Sequence, residues 1–559
     1  MTASSARARR AFALPMGLAV ASSLILVPVT TATAAEAAPA ATTATTAGAA
    51  DGEQTSYVVN ILPGKLASAL AERAITKAGG TVVKAYHKIG VIVVHSARAD
   101  FAEKIRKVPG VQSAGATRTT PLAAQTTDDI GAPVELSEKQ LDAAAAKADG
   151  DEDPLQGLQW DLPAIKADKA HKKSLGSDKV TVAVIDTGVD DTHPDLAPNF
   201  DRAASVSCVG GVPDTTDGAW RPQEGESAHG THVAGEIAAA KNGIGMTGVA
   251  PGVKVSGIKV SQPDGFFYTE AVVCGFMWAA DHGVDVTNNS YYTDPWMFNC
   301  TNDPDQKALV HAVGRATAYA ELKGAVNVAS AGNSDLDLAS RTLPDDSSPN
   351  DSTPVDREID TKTCLDIPAQ LPGVVTVAAT GAKNLKSSYS NYGKGVIDIA
   401  APGGDSTRFQ APEAPAVDGR ILGTLPGGGY GYMAGTSMAG PHVAGVAALI
   451  KSTHPKAPAF QVKALLKAQA DTMACPKPYD LDGDGVEDAV CEGGKSGAGF
   501  YGRGYQTHLP EGATVLNGIG PHALPVDVVH PLGRGQVMVH AGNDLLGALL
   551  STVGMTGVV

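Results

Sequence analysis

The 559-residue chain lacks an excess of positive charge, and cysteine is missing from its first 207 residues. Lys and Arg number 44 against 59 Asp and Glu, which gives a formal net charge of −15. An acidic chain without a basic stripe argues against nucleic acid and anionic membrane as partners. The six cysteines share no CxxC spacing, which argues against a zinc site. The apolar C-terminal stretch is shorter than the roughly 20 residues that a membrane span needs, so we expect no membrane anchor.

The first 34 residues have the pattern of a secretory signal peptide. Arg7, Arg9 and Arg10 precede the apolar stretch AFALPMGLAVASSLILVPV, and ATA at 32–34 offers a small-residue cleavage site. The paired arginines leave twin-arginine export open beside the general secretory route. Either route predicts a secreted, extracellular protein whose cysteines form up to three disulfides. We predict one pairing, Cys475 with Cys491, because these residues bracket a short Gly- and Asp-rich loop.

Two low-complexity segments flank a small predicted module. Residues 35–55 form an Ala/Thr tract with too little apolar bulk to pack. Between 56 and 118, four strand patterns alternate with two amphipathic helical patterns in the order β-α-β-β-α-β. This order predicts a small ferredoxin-like (α+β) module. Residues 119–154 are acidic and Ala-rich, and we expect them to form a solvated linker that proteases can reach.

From residue 155 the pattern is that of a doubly wound α/β domain. Short, continuously apolar strands such as VTVAVID and AVNVASAG alternate with helical segments such as GTHVAGEIAAAK. Such strands predict a parallel sheet with helices on both faces. We expect this domain to span residues 155–475, followed by a C-terminal extension over 476–559. Functional residues in such sheets cluster beyond the carboxyl ends of the strands.

Residue types suited to acyl transfer occur at predicted strand ends and helix starts. Asp186 ends the strand VAVID, His229 opens a small-residue helix, and Ser437 lies in GTSMAGPHVAG before another helix. A serine hydroxyl needs a base to become a nucleophile, and a neutral imidazole suits that task near pH 7. A carboxylate must in turn orient the imidazole. Asn333, which follows the strand VASAG, could donate its amide to a developing oxyanion, although each of these residues alone is also typical of a cap, a turn or a packed side chain.

Together, the strings VAVIDTGVD, HGTHVAG, GVAPGV, ASAGN and GTSMAGPHVAG resemble the subtilisin-like serine proteases, in that family's order Asp, His, Ser. The resemblance covers about residues 155–475. It implies a subtilisin-like fold and a serine endopeptidase in which Asp186 orients His229, the base, and Ser437 is the nucleophile. It also implies an oxyanion hole formed by Asn333 and the Ser437 backbone N–H.

The resemblance also assigns a purpose to the module at 56–118. In this family such a module is an inhibitory propeptide that assists folding and is then removed. The resemblance therefore predicts a zymogen that cuts itself between 119 and 155, with its own propeptide as intramolecular inhibitor. We expect a monomer acting on protein or peptide substrates. Two alternatives are a processing protease for one precursor and a catalytically silent subtilase scaffold that binds protein or calcium.

The resemblance implies that substrate lies as an added strand between two edge segments, residues 260–265 and 290–292. Tyr291 and Tyr292 stand where the family usually has Leu and Gly, so substrate contact and packing at the rim both fit them. Asp366 aligns near the floor of the primary specificity pocket, where a carboxylate would favour Lys or Arg on the acyl side of the cut. An ordinary loop aspartate is the alternative. The candidate substrate-binding residues are Ser290, Tyr291, Tyr292, Ala331, Gly332 and Asp366.

Calcium is the expected cofactor, with a structural role at two candidate sites. The resemblance implies a tight site with ligands from Gln156, Asp195 and Asn242. The second candidate is the loop DLDGDGVED, which places alternate carboxylates on a Gly-rich turn, as a hard cation requires. A solvated acidic turn is the alternative there. The carboxylates of this loop belong to Asp480, Asp482, Asp484 and Asp488.

Overall fold

The computed structural model describes residues 52–122, 132–148 and 150–504. The predicted signal peptide (1–34), most of the Ala/Thr segment and residues 505–559 lie outside these ranges. Parts of the expected linker, at 123–131 and 149, also lie outside them.

The N-terminal module is a four-stranded antiparallel sheet with the strand order β2-β3-β1-β4. Its two helices share one apolar cluster with the sheet, centred on Ile75, Phe101 and Ile105. This is the β-α-β-β-α-β arrangement that the sequence predicts. Its elements are β1 (Thr55–Ile61), α1 (Lys65–Lys77), β2 (Gly80–Tyr86), β3 (Val91–Ser96), α2 (Phe101–Arg106) and β4 (Val111–Ala116).

The larger unit is built around a seven-stranded sheet. Its helices are α3 (Glu138–Ala145), α4 (Asp161–Ala164), α5 (Ala167–His171), α6 (His229–Ala238), α7 (Thr269–Asp281), α8 (Pro304–Leu322), α9 (Thr436–Thr453), α10 (Ala459–Gln469) and α11 (Ala498–Tyr501). The strands of the large sheet are β6 (Thr181–Asp186), β7 (Val206–Ser207), β8 (Lys254–Lys259), β9 (Val286–Asn289), β11 (Val326–Ser330), β15 (Val375–Thr380) and β16 (Ile399–Pro402). The strands of the smaller sheets are β5 (Val134–Glu135), β10 (Asn299–Cys300), β12 (Thr342–Asp345), β13 (Arg357–Asp360), β14 (Cys364–Leu365), β17 (Ile421–Leu425) and β18 (Gly429–Met433).

The large sheet has the order β16-β15-β11-β9-β6-β8-β7, and all its neighbouring strands are parallel. Helices α6 and α9 pack on one face, and α7 and α8 pack on the other. The fold is therefore the doubly wound α/β class predicted. The chain runs from β6 outward to β7 and β8, then returns past β6 to β9. This reversal opens a crevice at the carboxyl ends of β6 and β9.

Burial on both faces explains the continuously apolar strands. In β6, Val182 and Val184 join the core beneath α6 and α9, whereas Ala183 and Ile185 join the core beneath α7 and α8. Helix α9 is apolar on every side and is buried along most of its length. Its first turn is consequently fixed against the strand ends, where a functional side chain can be held rigidly.

Residues 132–148 differ from the solvated linker that we expected. Strand β5 pairs antiparallel with β18, and the start of α3 carries a capping box formed by Ser137 and Gln140. Leu136, Leu141 and Ala144 pack into a small apolar cluster on the large unit. The prediction of a linker was based on the Ala-rich composition and overlooked these apolar residues, which are sufficient to pack one short helix against the large unit.

The boundary expected at residue 475 is also wrong, because the large unit continues to residue 504. Tyr479, Phe500 and Tyr501 are buried in a core shared with Phe298 and other residues of the large unit. The backbone at 502–504 pairs with the outer strand of the large sheet, through the contacts Ala400 N–Gly504 O and Arg503 N–Asp398 O. These residues complete the large unit instead of forming a separate extension.

Three disulfides use all six cysteines. The predicted Cys475–Cys491 bond is confirmed, and the others join Cys208 to Cys274 and Cys300 to Cys364. Cys208–Cys274 ties the edge of the large sheet near β7 to α7.

Candidate active site

Asp186 and His229 meet at the carboxyl end of β6. Asp186 is the last residue of that strand, and His229 is the first residue of α6. The His229 Nδ1–H donates to Asp186 Oδ1 at 2.8 Å, and the Thr187 backbone N–H donates to the same oxygen at 2.7 Å. Both side chains are buried, and His229 Nε2 has no hydrogen-bond partner among the described residues. A neutral imidazole held in this way offers its Nε2 lone pair as a base.

Glycine lets the start of α6 approach the end of β6. A methyl group on Gly230 would lie 2.4 Å from the Gly188 carbonyl oxygen and 3.1 Å from Asp186 Cβ. The Gly230 backbone N–H donates to Thr187 Oγ1 at 2.9 Å, which fixes the helix start against the turn after β6. The motif HGTHVAG therefore positions the imidazole by close backbone packing.

Ser437 lies in the first turn of α9, beside the end of β9. Its Oγ–H donates to the Ser290 carbonyl oxygen at 3.2 Å, and the Ser290 hydroxyl donates to the Ser437 carbonyl oxygen at 2.9 Å. In this structure the Ser437 hydroxyl therefore bonds to Ser290 and not to His229. Unlike Asp186 and His229, Ser437 is partly exposed at the crevice.

Two N–H donors flank a small space at the start of α9. Asn333 Oδ1 accepts hydrogen bonds from the backbone and the hydroxyl of Thr436, each at 2.8 Å. The other end of this amide, Asn333 Nδ2, therefore points away from Thr436. A methyl group on Gly435 would lie 3.4 Å from Asn333 Nδ2 and 3.5 Å from the Ser437 backbone N. The Ser437 N–H is one of the donors that a helix start leaves without an intrahelical partner, so both groups can bind an oxyanion.

A buried Asp–His pair, a serine at a helix start and two free donors at the carboxyl edge of a parallel sheet recur in one family. Residues 177–496 match the model of the subtilase family. The chain belongs to the subtilase family. Membership indicates a serine-type endopeptidase, a hydrolase of peptide bonds.

Curated relatives of this subtilase include subtilisin BL of Lederbergia lenta, which is 33% identical over 325 residues covering 58% of this chain and 95% of the relative. Alkaline protease of Shouchella clausii is 32% identical over 351 residues, covering 62% and 74%. Among solved structures, the epidermin leader peptide processing serine protease of Staphylococcus aureus has a TM-score of 0.58 at 24% identity, covering 82% of this chain and 97% of that one. Fervidolysin of Fervidobacterium pennivorans has a TM-score of 0.51 at 25% identity, covering 82% and 61%. These structural likenesses concern the fold.

The rim of the subtilase crevice is stiffened by aromatic packing. The Tyr291 ring stacks on Phe267 with centroids 4.6 Å apart, and its hydroxyl donates to Asn289 Oδ1 at 3.0 Å. The Tyr292 hydroxyl accepts a hydrogen bond from Asn350 Nδ2 at 2.9 Å. The Tyr291 ring is thus buried in the wall, in contact with Phe267 just beyond the other predicted edge segment.

Ala331 and Gly332 form a second wall beside a buried carboxylate. The Ala331 carbonyl accepts from Asn391 Nδ2 at 2.8 Å, and Gly332 has φ +93°, a conformation that favours glycine. A methyl group on Gly332 would lie 3.7 Å from Asp366 Oδ2. Asp366 is 4% exposed, its Oδ1 has no hydrogen-bond partner within the described ranges, and burial raises its carboxyl pKa well above the usual value. An unpaired buried carboxylate beside this wall is suited to bind a cation.

The first predicted calcium site gathers oxygens around one loop, residues 242–247. Asp195 Oδ2 accepts from the Met246 backbone N–H and from the Tyr430 hydroxyl, both at 2.9 Å. Asn242 Nδ2 donates to Asp195 Oδ1 at 3.3 Å, and Gln156 Oε1 lies 3.4 Å from Thr247 Oγ1. The three predicted ligands are therefore brought to one loop.

Sequence reasoning missed Asp153 at this loop, because it lies in the segment assigned to the linker. Asp153 Oδ1 accepts from the Gly243 N–H at 2.7 Å, and its Oδ2 accepts from Thr247 Oγ1 at 2.6 Å. Burial raises the pKa of Asp195 to about 6, and the nearby Asp153 charge adds to the rise. Two buried carboxylates among amide and hydroxyl oxygens fit a hard cation such as Ca²⁺.

The second candidate loop brings three of its four aspartates together. One carboxylate oxygen each from Asp480, Asp482 and Asp484 lies within 4.8 Å of the others. The Asp480 oxygens accept from the backbone N–H groups of Gly483 and Gly485 at 2.7 and 3.0 Å. Asp488 is outside this group, and its Oδ2 accepts from the Leu481 N–H at 2.6 Å.

Within the described residues, no helix has the length and apolar character needed to cross a membrane.

Proposed function

We propose that this subtilase is a secreted serine endopeptidase that acts through Asp186, His229 and Ser437 and is made as a self-processing zymogen. The observation that carries the proposal is the buried Asp186–His229 contact, which leaves Nε2 without a partner among the described residues, while Ser437 lies in the first turn of α9.

In the proposed mechanism, the Ser437 hydroxyl gives up its bond to Ser290 and attacks the carbonyl carbon of the scissile peptide bond. His229 Nε2 takes the hydroxyl proton, and Asp186 stabilises the imidazolium that forms. The imidazolium then protonates the leaving amine as the C–N bond breaks, which leaves an acyl-enzyme ester on Ser437. Water, deprotonated by the same imidazole, hydrolyses the ester and regenerates the serine.

Charge stabilisation is proposed to come from Asn333 Nδ2 and the Ser437 backbone N–H. Both donors are held in place before substrate binds, because Asn333 Oδ1 is fixed by Thr436 and the Ser437 N–H by the start of α9. The positive end of the α9 dipole favours the same negative charge.

The N-terminal module is proposed to act as an inhibitory propeptide. Its sheet packs against α7 and α8, and the Arg315 guanidinium of α8 donates to the carbonyls of Ile61, Ile89 and Gly90 in the module. Residues 117–122 follow the module and include the start of the segment, between 119 and 155, in which we expect the cut. Export of this zymogen rests on the N-terminal signal pattern.

Calcium is proposed to stabilise the mature enzyme. Asp153, Gln156, Asp195 and Asn242 would hold one ion. Asp480, Asp482 and Asp484 would hold a second, with Asp488 supporting the loop. Neither ion takes part in the proposed chemistry.

A fluorophosphonate probe tests the proposed nucleophile. We expect the wild-type enzyme to incorporate one probe on the peptide that contains Ser437, and Ser437→Ala to incorporate none. A catalytically silent scaffold is the alternative, and it would leave the wild type unlabelled. Labelling of a different serine would contradict the assigned roles.

A further inference from the structure

Arg118, at the end of the N-terminal module, is bound in a closed acidic and aromatic pocket of the large unit. Its Nη2 donates to Glu270 Oε1 at 2.6 Å, and its guanidinium carbon lies 3.8 Å from the centroid of the Tyr268 ring. The side chains of Arg118 and Glu270 are 5% and 1% exposed. A desolvated ion pair with a stacked aromatic ring is a strong recognition element for a guanidinium.

The pocket belongs to the large unit and remains when the module leaves. Tyr268 and Glu270 stand at the start of α7, and the Tyr268 hydroxyl lies 3.4 Å from Asp351 Oδ2. Burial alone would raise the pKa of Glu270, yet that pKa is lowered, chiefly by the Arg118 charge. Removal of Arg118 therefore leaves a carboxylate and a free aromatic face without their cation.

The pocket lies near both predicted edge segments. Directly after Arg118, the Thr119 backbone N–H donates to Asp351 Oδ2 at 2.8 Å. Asn350, the neighbour of Asp351, donates to Tyr292 in one predicted edge segment. On the other side lies Asp264, in the edge segment 260–265. Burial raises the pKa of Asp264, and the positive charge of Arg118 opposes this rise. The chain that leaves this pocket at Thr119 thus lies beside Asp351, whose neighbour Asn350 contacts one of the edges that are expected to hold substrate.

We propose that Glu270, Tyr268 and Asp351 form a distal subsite that binds a basic residue, preferably Arg, several positions before the scissile bond. In the zymogen Arg118 fills this subsite, and in the mature enzyme a substrate arginine replaces it. The inference rests on the proposed function, because it concerns which peptides the same crevice selects. It is separate from the primary pocket at Asp366, which concerns the residue directly before the cut.

A cleavage profile on a peptide library tests the subsite whichever bond the enzyme cuts. Matured wild-type enzyme and its Glu270→Gln variant would each digest a proteome-derived peptide library, with the cleaved bonds mapped by mass spectrometry. We expect wild type to enrich Arg at one position upstream of the residue before the cut, and Glu270→Gln to lose that enrichment. Asp281→Asn, at the opposite end of α7, is the matched control and should keep it.

A matched pair of peptides then measures the effect. The two share one efficiently cleaved library sequence and differ only in Arg or its neutral analogue citrulline at the enriched position. We expect kcat/KM of the wild type to be at least about tenfold higher for the Arg peptide, as for a desolvated charge pair. This ratio compares two substrates of one enzyme, so it holds whatever fraction of the preparation is active.

The outcomes separate the two proposals. A library left uncut by the wild type contradicts the proposed function. Cleavage without upstream enrichment of Arg, or a ratio near one for the wild type, overturns the subsite. Enrichment that survives in Glu270→Gln assigns the preference to other residues and also overturns it. If Glu270→Gln does not mature, the wild-type ratio alone decides.

Discussion

In the proposed mechanism, the two ends of the Asn333 amide have different tasks. Its Oδ1 fixes the start of α9 through Thr436, and its Nδ2 would donate to the oxyanion. We expect Asn333→Ala to lower kcat by about 10²–10³ with little change in KM, the loss seen when the corresponding donor of subtilisin is removed. Steady-state hydrolysis of a peptide anilide measures both constants.

The matched variant Asn333→Asp separates the two tasks. Aspartate keeps an acceptor for Thr436 but has no N–H to donate, so its turnover should fall at least as far as that of the alanine variant. Turnover close to wild type in Asn333→Asp would show that the amide N–H does not stabilise the transition state.

Asp366 is a second residue whose environment is unusual for a loop aspartate, because its carboxylate is buried. Because one of its buried oxygens lacks a partner, an arginine or lysine side chain directly before the cut would supply the missing donor. We expect arginyl anilides to be cleaved about tenfold to a hundredfold faster than leucyl or phenylalanyl ones, as expected for hydrogen bonds to charged groups. Asp366→Asn should remove the preference. Equal turnover of the three anilides by the wild type would show that Asp366 is only structural.

At the scale of elements, helices α8 and α7 of the large unit contact the module in two contrasting ways. The Arg315 side chain, partly buried, donates to three carbonyls of the module, whereas Lys88 of the module forms an exposed ion pair with Asp281 of α7. Exposed pairs contribute about 0–1 kcal/mol, and hydrogen bonds from a charged group about 1.5–3 kcal/mol. The module should therefore depend on Arg315 far more than on Lys88.

This contrast predicts how activity appears after self-processing. In Arg315→Ala the cleaved module should dissociate at least about tenfold sooner, because it loses charged hydrogen bonds. The lag before peptide hydrolysis would shorten accordingly. Lys88→Ala is the matched control and should show the wild-type lag. Equal lags in all three proteins would contradict the proposed role of α8 in holding the inhibitor.

The loop at 242–247 predicts a calcium-dependent stability. Calcium at a thousandfold excess over its Kd adds about 4 kcal/mol to the free energy of unfolding. EGTA should therefore lower the Tm of the mature enzyme, and Asp195→Asn should lose most of this shift. Asp484→Asn, which alters only the second loop, is the comparison. A wild-type Tm that does not respond to EGTA would contradict the calcium proposal.

Elements were predictable where local pattern and tertiary environment agree. The residues of strand β6 are apolar on both sides because both faces of the strand are buried. The order of strands and helices in the N-terminal module follows from the periodicity of its apolar residues. Helix α3 was missed because Leu136 and Leu141 are sparse within an Ala-rich acidic stretch, and their partners lie near Tyr430, almost 300 residues along the chain. The end of the large unit was placed too early, because the pairing of residues 502–504 with the β16 edge is a long-range contact.

For the whole molecule, short strings around Asp186, His229, Asn333 and Ser437 indicated the site, because each motif encodes the local backbone that positions its side chain. Contacts between distant segments were not predictable in this way. Arg118 and Glu270 are 152 residues apart in the sequence, and no motif around either residue predicts its contact with the other. Such contacts became evident only in the folded chain.

Self-processing of the whole chain tests the central claim most directly. Wild-type protein and Ser437→Ala would be produced in parallel, and the mass and N-terminus of each determined. We predict that the wild type loses the N-terminal module by a cut between 119 and 155, while Ser437→Ala keeps it and remains a precursor. Maturation of Ser437→Ala to the same size and N-terminus would contradict the claim that this serine performs the cleavage.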